Sequence, residues 1–200
     1  MIHKIAKNKG FTLIELVVVI IILGIIAVVA IPKFINLQQD AHEKTIKAVF
    51  GAFKSSVNLY HSCWLASGKD GFAKDLACYG QGNIDSSKTG YPLGVDTGVY
   101  GNEGTVLTGN DCETLWYGLL DNHYKLVAQS ATSFAPGNDI VYWYQADKLY
   151  DEDDQPNPNA YCYYNYIADN PTIGSKNWQL QYFPATGQTK ITQSVLTITK

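Results

Sequence analysis

One carboxylate, Glu15, stands inside an otherwise apolar run, FTLIELVVVIIILGIIAVVAI, residues 11–31. A charge in lipid costs about 2.5–3.5 kcal/mol near a helix centre and less near an end. Glu15 must therefore reach water or meet a partner. Four cysteines follow, Cys63, Cys78, Cys112 and Cys162. None forms a C-x-x-C pair, so zinc-ribbon and thioredoxin chemistry have no support. His61 lies beside Cys63 in the manner of a metal or nucleophile pair, but a structural role is the preferred reading. The acidic stretch DEDDQPNPN, residues 151–159, invites a calcium reading. It lacks the D-x-[DN]-x-[DN]-G spacing, so it reads as a solvated loop. Tyr142, Trp143, Tyr144, Tyr161, Tyr163, Tyr164 and Tyr166 could stack on a sugar, yet alternating strand aromatics favour core and cross-strand packing. No G-x-S-x-G, H-E-x-x-H or P-loop occurs, and no enzyme, cofactor or metal site is expected.

The elements that carry these residues follow from length and pattern. A helix of about 20 residues spans a bilayer core, and residues 11–31 supply 21. Lys4, Lys7 and Lys9 precede the run, which places the start in the cytoplasm and exports the rest. An even cysteine count on the exported side reads as two disulfides. The run is too long for the core of a secretory signal peptide, and Ala30-Ile31-Pro32 is a poor cleavage site for one. All 15 basic residues are lysine; beyond residue 10 there are 12 of them against 18 acids, a net of −6. That balance argues against a nucleic-acid partner, which needs clustered positive charge.

Ile46, Val49, Phe50, Phe53, Val57, Tyr60 and Trp64 recur at 3- and 4-residue steps, one apolar stripe of an amphipathic helix. One helix of about 45–50 residues from Phe11 is the simplest reading. Residues 68–109 are rich in Gly, Asp, Ser, Thr and Asn and read as loops and turns. Asp111 to Tyr124 carries Leu115, Trp116, Leu119 and Leu120 at helical spacing, with Asp111 as its cap. Strands are expected over 139–146, 160–166, 178–184 and 190–199, the last two joined by a turn at PATGQ with Gly187 free for positive φ. The fold class is thus α+β, a long N-terminal helix laid on an antiparallel sheet.

The stretch G-F-T-L-I-E, residues 10–15, behind a short lysine-rich leader and ahead of an unbroken apolar run, resembles the type IV prepilin signature. That resemblance implies a membrane peptidase that cuts after Gly10 and N-methylates the new terminus at Phe11. It implies a pilin-like fold and a surface filament built from copies of the chain by inner-membrane assembly machinery. It divides the chain into a leader 1–10, an assembly helix 11–32, an amphipathic helix 33–64 and a head 65–200. In such a filament the terminal amine of a neighbouring Phe11 would meet Glu15 and set subunit register. Between Gly24 and Pro32 the family can lose helicity on assembly; a simple bend at Pro32 is the alternative.

GNIDSSKTGYP, CYYNYI and YFPATG, at 82–92, 162–167 and 182–187, resemble mannose-sensitive haemagglutinin-type pilins, a resemblance that implies surface glycans among the partners. A secretion pseudopilin and a membrane-anchored sugar-binding domain are the other readings. Of three possible disulfide pairings we favour Cys63 with Cys78, closing a short loop at the helix exit, and Cys112 with Cys162, tying the short helix to a strand.

Overall fold

The computed structural model describes residues 10–95, 103–130, 137–168 and 172–196. Leader residues 1–9 and the end of the last expected strand, 197–199, lie outside them. The chain divides into two compact units, Met1–His42 and Glu43–Lys200. Helix α1, Leu13–Ala66, contributes to both and has 54 residues, longer than the sequence pattern alone suggests.

In the first unit the apolar side chains of α1 are uncovered. Phe11, Leu13, Ile14 and most of the valines, leucines and isoleucines up to Ile31 are exposed. The helix is long and apolar enough to cross a membrane. Its helical assignment continues through both Gly24 and Pro32.

In the second unit the expected stripe is the core. Ile46, Phe50, Phe53, Val57, Tyr60 and Trp64 are buried and Val49 is half-buried. Phe53 sits among three rings, 5.8 Å from Trp116, 5.5 Å from Tyr164 and 5.4 Å from Tyr182. Edge-on and tilted aromatic pairs at these separations add to the area they bury.

Residues 68–109 are not loops throughout. β1, Ile84–Ser86, and β2, Pro92–Val95, form an antiparallel hairpin with an irregularity after Asp85. Its polar residues disguise it: Asp85 and Ser86 are buried because they accept from backbone. Asp85 Oδ1 takes the Asp75 N–H and Ser86 Oγ the Ala73 N–H, each at 2.8 Å. Polar side chains thus replace ladder partners for a neighbouring loop.

Helix α2 runs Gly109–Leu119, and its cap is Thr108 rather than Asp111. Thr108 Oγ1 accepts from the Asp111 N–H, and the Asp111 carboxylate accepts from the Thr108 N–H at 2.7 Å, a reciprocal capping box. The helix ends five residues before the expected Tyr124. Leu120 is extended, and Asn122 Oδ1 accepts from Trp116 Nε1 and the Tyr124 N–H, an exit turn that competes with a further helical turn.

The main sheet has strand order β3-β4-β5-β6-β7: Leu126–Ala128, Ile140–Tyr144, Cys162–Tyr166, Lys176–Phe183 and Gln188–Val195. Its last four strands are antiparallel neighbours, as the pattern implies. β3 is an addition that pairs parallel to β4, so the sheet is mixed. Three half-buried residues are too short a stretch to show a period of two.

Candidate functional site

The N-terminal segment is built from Gly10, exposed and unencumbered, outward to Glu15. Thr12 precedes the first helical residue and Glu15 is the third. The Glu15 carboxylate accepts from both the Thr12 N–H and the Thr12 hydroxyl at 2.8 Å through one oxygen, Oε2. The Thr12 hydroxyl in turn lies 3.3 Å from the Glu15 N–H as acceptor. Thr12-Leu13-Ile14-Glu15 is therefore a capping box, satisfying otherwise orphaned donors at the start of α1. The sequence carried this signature in plain form, a threonine three residues before a glutamate that heads an apolar run.

That cap leaves the second carboxylate oxygen, Oε1, without a protein partner among the described residues. Phe11, Ile14, Glu15, Val18 and Val19 lie along one exposed face at helical spacing. A single charge on an apolar stripe is thus pre-oriented by its own helix end. Gly24 also faces open space.

The cysteines form two bridges, Cys63–Cys78 and Cys112–Cys162, with Cα atoms 6.0 and 5.5 Å apart. The first joins the last turns of α1 to the loop before β1; the second joins α2 to β5. Cys63 is bonded to Cys78, so it and His61 do not form a free thiol–imidazole pair. The His61 ring is stacked between Tyr91, 4.0 Å away, and Trp64, 5.6 Å away, and Nδ1 lies 3.0 Å from the Gly90 carbonyl. Gly90 has a φ of +81°, and a Cβ there would meet the Trp64 ring at 2.2 Å.

The segment 85–92 is a fastening point for the second unit. Thr89 Oγ1 donates to the Ala185 carbonyl in the β6–β7 turn at 2.8 Å. Lys88 pairs with Asp154 of the acidic stretch and lies over the Tyr150 ring. Tyr182 Oη donates to the Pro92 carbonyl at 2.6 Å, and Tyr60 Oη to the Ile84 carbonyl at 2.9 Å. Burial holds all of these phenols that show a shift, Tyr60 and Tyr182, well above the usual tyrosine range, so both remain donors.

Within the acidic stretch, Asp151 accepts from the N–H groups of Asp153 and Gln155. The Asp151 carboxylate is thus engaged in the turn and that of Asp154 by Lys88. Among the described residues no group of three or more His, Cys, Asp or Glu is arranged to hold a metal ion.

A family model described as the prokaryotic N-terminal methylation motif matches residues 5–31. Over 50 residues the chain is 44% identical to the type IV narrow pilus major component PilA5 of Thermus thermophilus, covering 25% of this chain and 43% of that protein. Over 53 residues it is 47% identical to the type IV major pilin protein PilA of Myxococcus xanthus, covering 24% of each. The match spans less than half the length of either relative. No solved structure gives a significant match. In its N-terminal quarter, where methylation motif, capped glutamate and exposed apolar helix come together, this chain is similar to type IV pilins.

Proposed function

We propose that the chain is a structural subunit of a type IV pilus filament and has no catalytic role. It is made as a precursor whose leader, 1–10, is removed after Gly10, with methylation of the new amine at Phe11. Residues 11–32 then anchor it in the inner membrane and afterwards pack against copies of the chain in the filament shaft. Residues 33–64 continue the helix, and 65–200 form the head, which faces outward and attaches to surfaces. The partners are a prepilin peptidase and methyltransferase, the membrane assembly machinery and other copies of the chain.

The observation that carries this reading is the pairing of an uncovered apolar helix with Glu15 at its start. An exposed stripe of this size is stable only in lipid or against another apolar surface. Glu15 itself lies on that exposed stripe, with Oε1 not used by the cap. The amine of a neighbouring mature Phe11 would pair with it and fix the register of two subunits. Gly24 to Pro32 is the stretch that would yield if packing required it. The segments at 82–92, 162–167 and 182–187 favour mannose-sensitive haemagglutinin-type pilins within the class.

Mass spectrometry of the protein recovered from sheared surface material tests this directly. The expected N-terminus is N-methylated Phe11; a terminus at Met1 would overturn the proposal.

A further inference from the structure

The side of the main sheet opposite Phe53 carries a polar groove of about 260 Å³. It is lined by Gln145, Tyr161, Tyr163, Asn165, Gln179 and Gln181, and Gln129 and Ser194–Leu196 complete the lining. The register explains the grouping. Tyr163 is opposite Gln181, and Asn165 is opposite Gln179, across β5 and β6. Alternation places these four on the side away from Tyr164, Leu180 and Tyr182, which face the core.

The floor of this groove is unusual for an open sheet side. Asn165 is 2% exposed, Gln179 7% and Tyr163 9%. Gln181 Nε2 donates to Gln179 Oε1 at 2.8 Å, and Gln179 Nε2 donates to Asn165 Oδ1 at 2.9 Å. This amide chain holds three side chains in fixed rotamers. It uses one N–H of each glutamine and leaves Asn165 Nδ2, Gln181 Oε1 and the Tyr163 hydroxyl without protein partners among the described residues. Beside the amides lies Tyr161, its ring 5.0 Å from that of Phe183 and 6.3 Å from that of Tyr163.

The chemistry of this lining selects a ligand class. Among the described residues no lining side chain is charged; Lys190, opposite Gln181 on β7, is a neighbouring cation outside the lining, so an ionic ligand finds no counter-charge within the groove itself. An apolar ligand would strip water from amides and offer them nothing in return. A ligand rich in hydroxyl groups can both donate to and accept from amides, since each amide carries two donors and an acceptor with two lone pairs. A tyrosine ring supplies an apolar surface for the C–H side of a sugar, with a hydroxyl at its edge. The fixed amide chain lowers the ordering cost of binding. We infer that this groove is a binding site for a neutral saccharide, with Asn165, Gln179 and Gln181 reading hydroxyl groups and Tyr161 as the stacking platform.

The inference requires only the folded second unit. It deepens the attachment role proposed above, yet it can fail while the Phe11 terminus is confirmed, or hold while that terminus is not found. The test uses the full chain in detergent micelles on a printed array of neutral oligosaccharides and their sialylated counterparts. Hits are then titrated with saturation-transfer NMR. The expected result is binding of neutral oligosaccharides, with transfer from tyrosine ring protons and at least a tenfold loss of affinity in Gln181→Ala and Tyr161→Ala. Both variants should keep the wild-type melting curve; if one does not, Gln181→Asn, which shortens the amide by one methylene, replaces it. An array with no neutral hit would overturn the inference. So would hits unchanged in both variants, or a preference for sialylated sugars that disappears in Lys190→Ala.

Discussion

Tyr164 donates its phenolic proton to the backbone carbonyl of Cys112 at 2.6 Å, and the sulfur of Cys112 is bonded to Cys162, two residues before that tyrosine. β5 therefore grips one residue of α2 twice, through its side chain and through its main chain. The Cys112 carbonyl also serves the α2 helix, so Tyr164→Phe removes one buried hydrogen bond without orphaning the acceptor and should cost about 0.5–1.5 kcal/mol. The bridge closes a separation of 50 residues, and its removal by paired serine substitution should cost about 4 kcal/mol on loop entropy. Urea unfolding of the three variants should give a combined loss smaller than the sum, because without the bridge the carbonyl no longer stays in place for the phenol.

Glu15 has two roles that one substitution can separate. Glutamine at 15 keeps the acceptor that caps Thr12 but carries no charge. Alanine loses both. If the charge sets subunit register, Glu15→Gln and Glu15→Ala should both insert in the membrane and both lose most filament yield, measured on sheared material. Normal yield in the glutamine variant with loss in the alanine variant would reassign Glu15 to helix capping alone.

Gly187 turns the β6–β7 hairpin at a φ of +68°, and a Cβ there would lie 2.1 Å from the Tyr91 ring. Gly187→Ala should therefore lose roughly 1–2 kcal/mol from the backbone alone. A further loss should come from displacing Tyr91 from its stack on His61. Thermal unfolding reads the total, and near-ultraviolet circular dichroism reads the stack. A variant with wild-type values in both would reject this account of the turn.

Asp111 gives a pH signature. Burial pushes its carboxyl above the usual aspartate range, against the hydrogen bonds from Thr108 that lower it. The folded chain then holds this proton more tightly than the unfolded one. The proton's contribution to stability is full below the unfolded pKa, about 3.9, and is lost as pH rises through the folded value. Asp111→Asn has no proton to lose. Its stability relative to the wild type should therefore climb from about pH 4 upward and then level off; a difference that is flat with pH would refute the assignment.

The membrane helix was legible from the length of its unbroken apolar run, the amphipathic stripe from its period of 3.6, and the four antiparallel strands from β-branched and aromatic runs bounded by turn residues. The stripe from Ile46 to Trp64 is buried as its spacing implies. What escaped was local and polar. The β1–β2 hairpin has buried Asp85 and Ser86, residue types that signal loops in any compositional reading. β3 is three residues long and is defined by its parallel partner, not by its own pattern. Asp111 has the right type for a cap, but Thr108, three residues earlier, holds that position and uses Asp111 as its reciprocal partner. The amide chain across Asn165, Gln179 and Gln181 depends on strand register, which no single segment reveals.

The fastening of 85–92 has a mechanical consequence. Through Thr89, Lys88 and Pro92 it holds the β6–β7 turn, the acidic stretch and β6 itself, and through Tyr91 it rests on α1 at His61. Loops on a protein surface usually yield one at a time. Here a pull on any one of these turns is passed to the others and to the helix, so this side of the head should resist shear as a block and let go as a block.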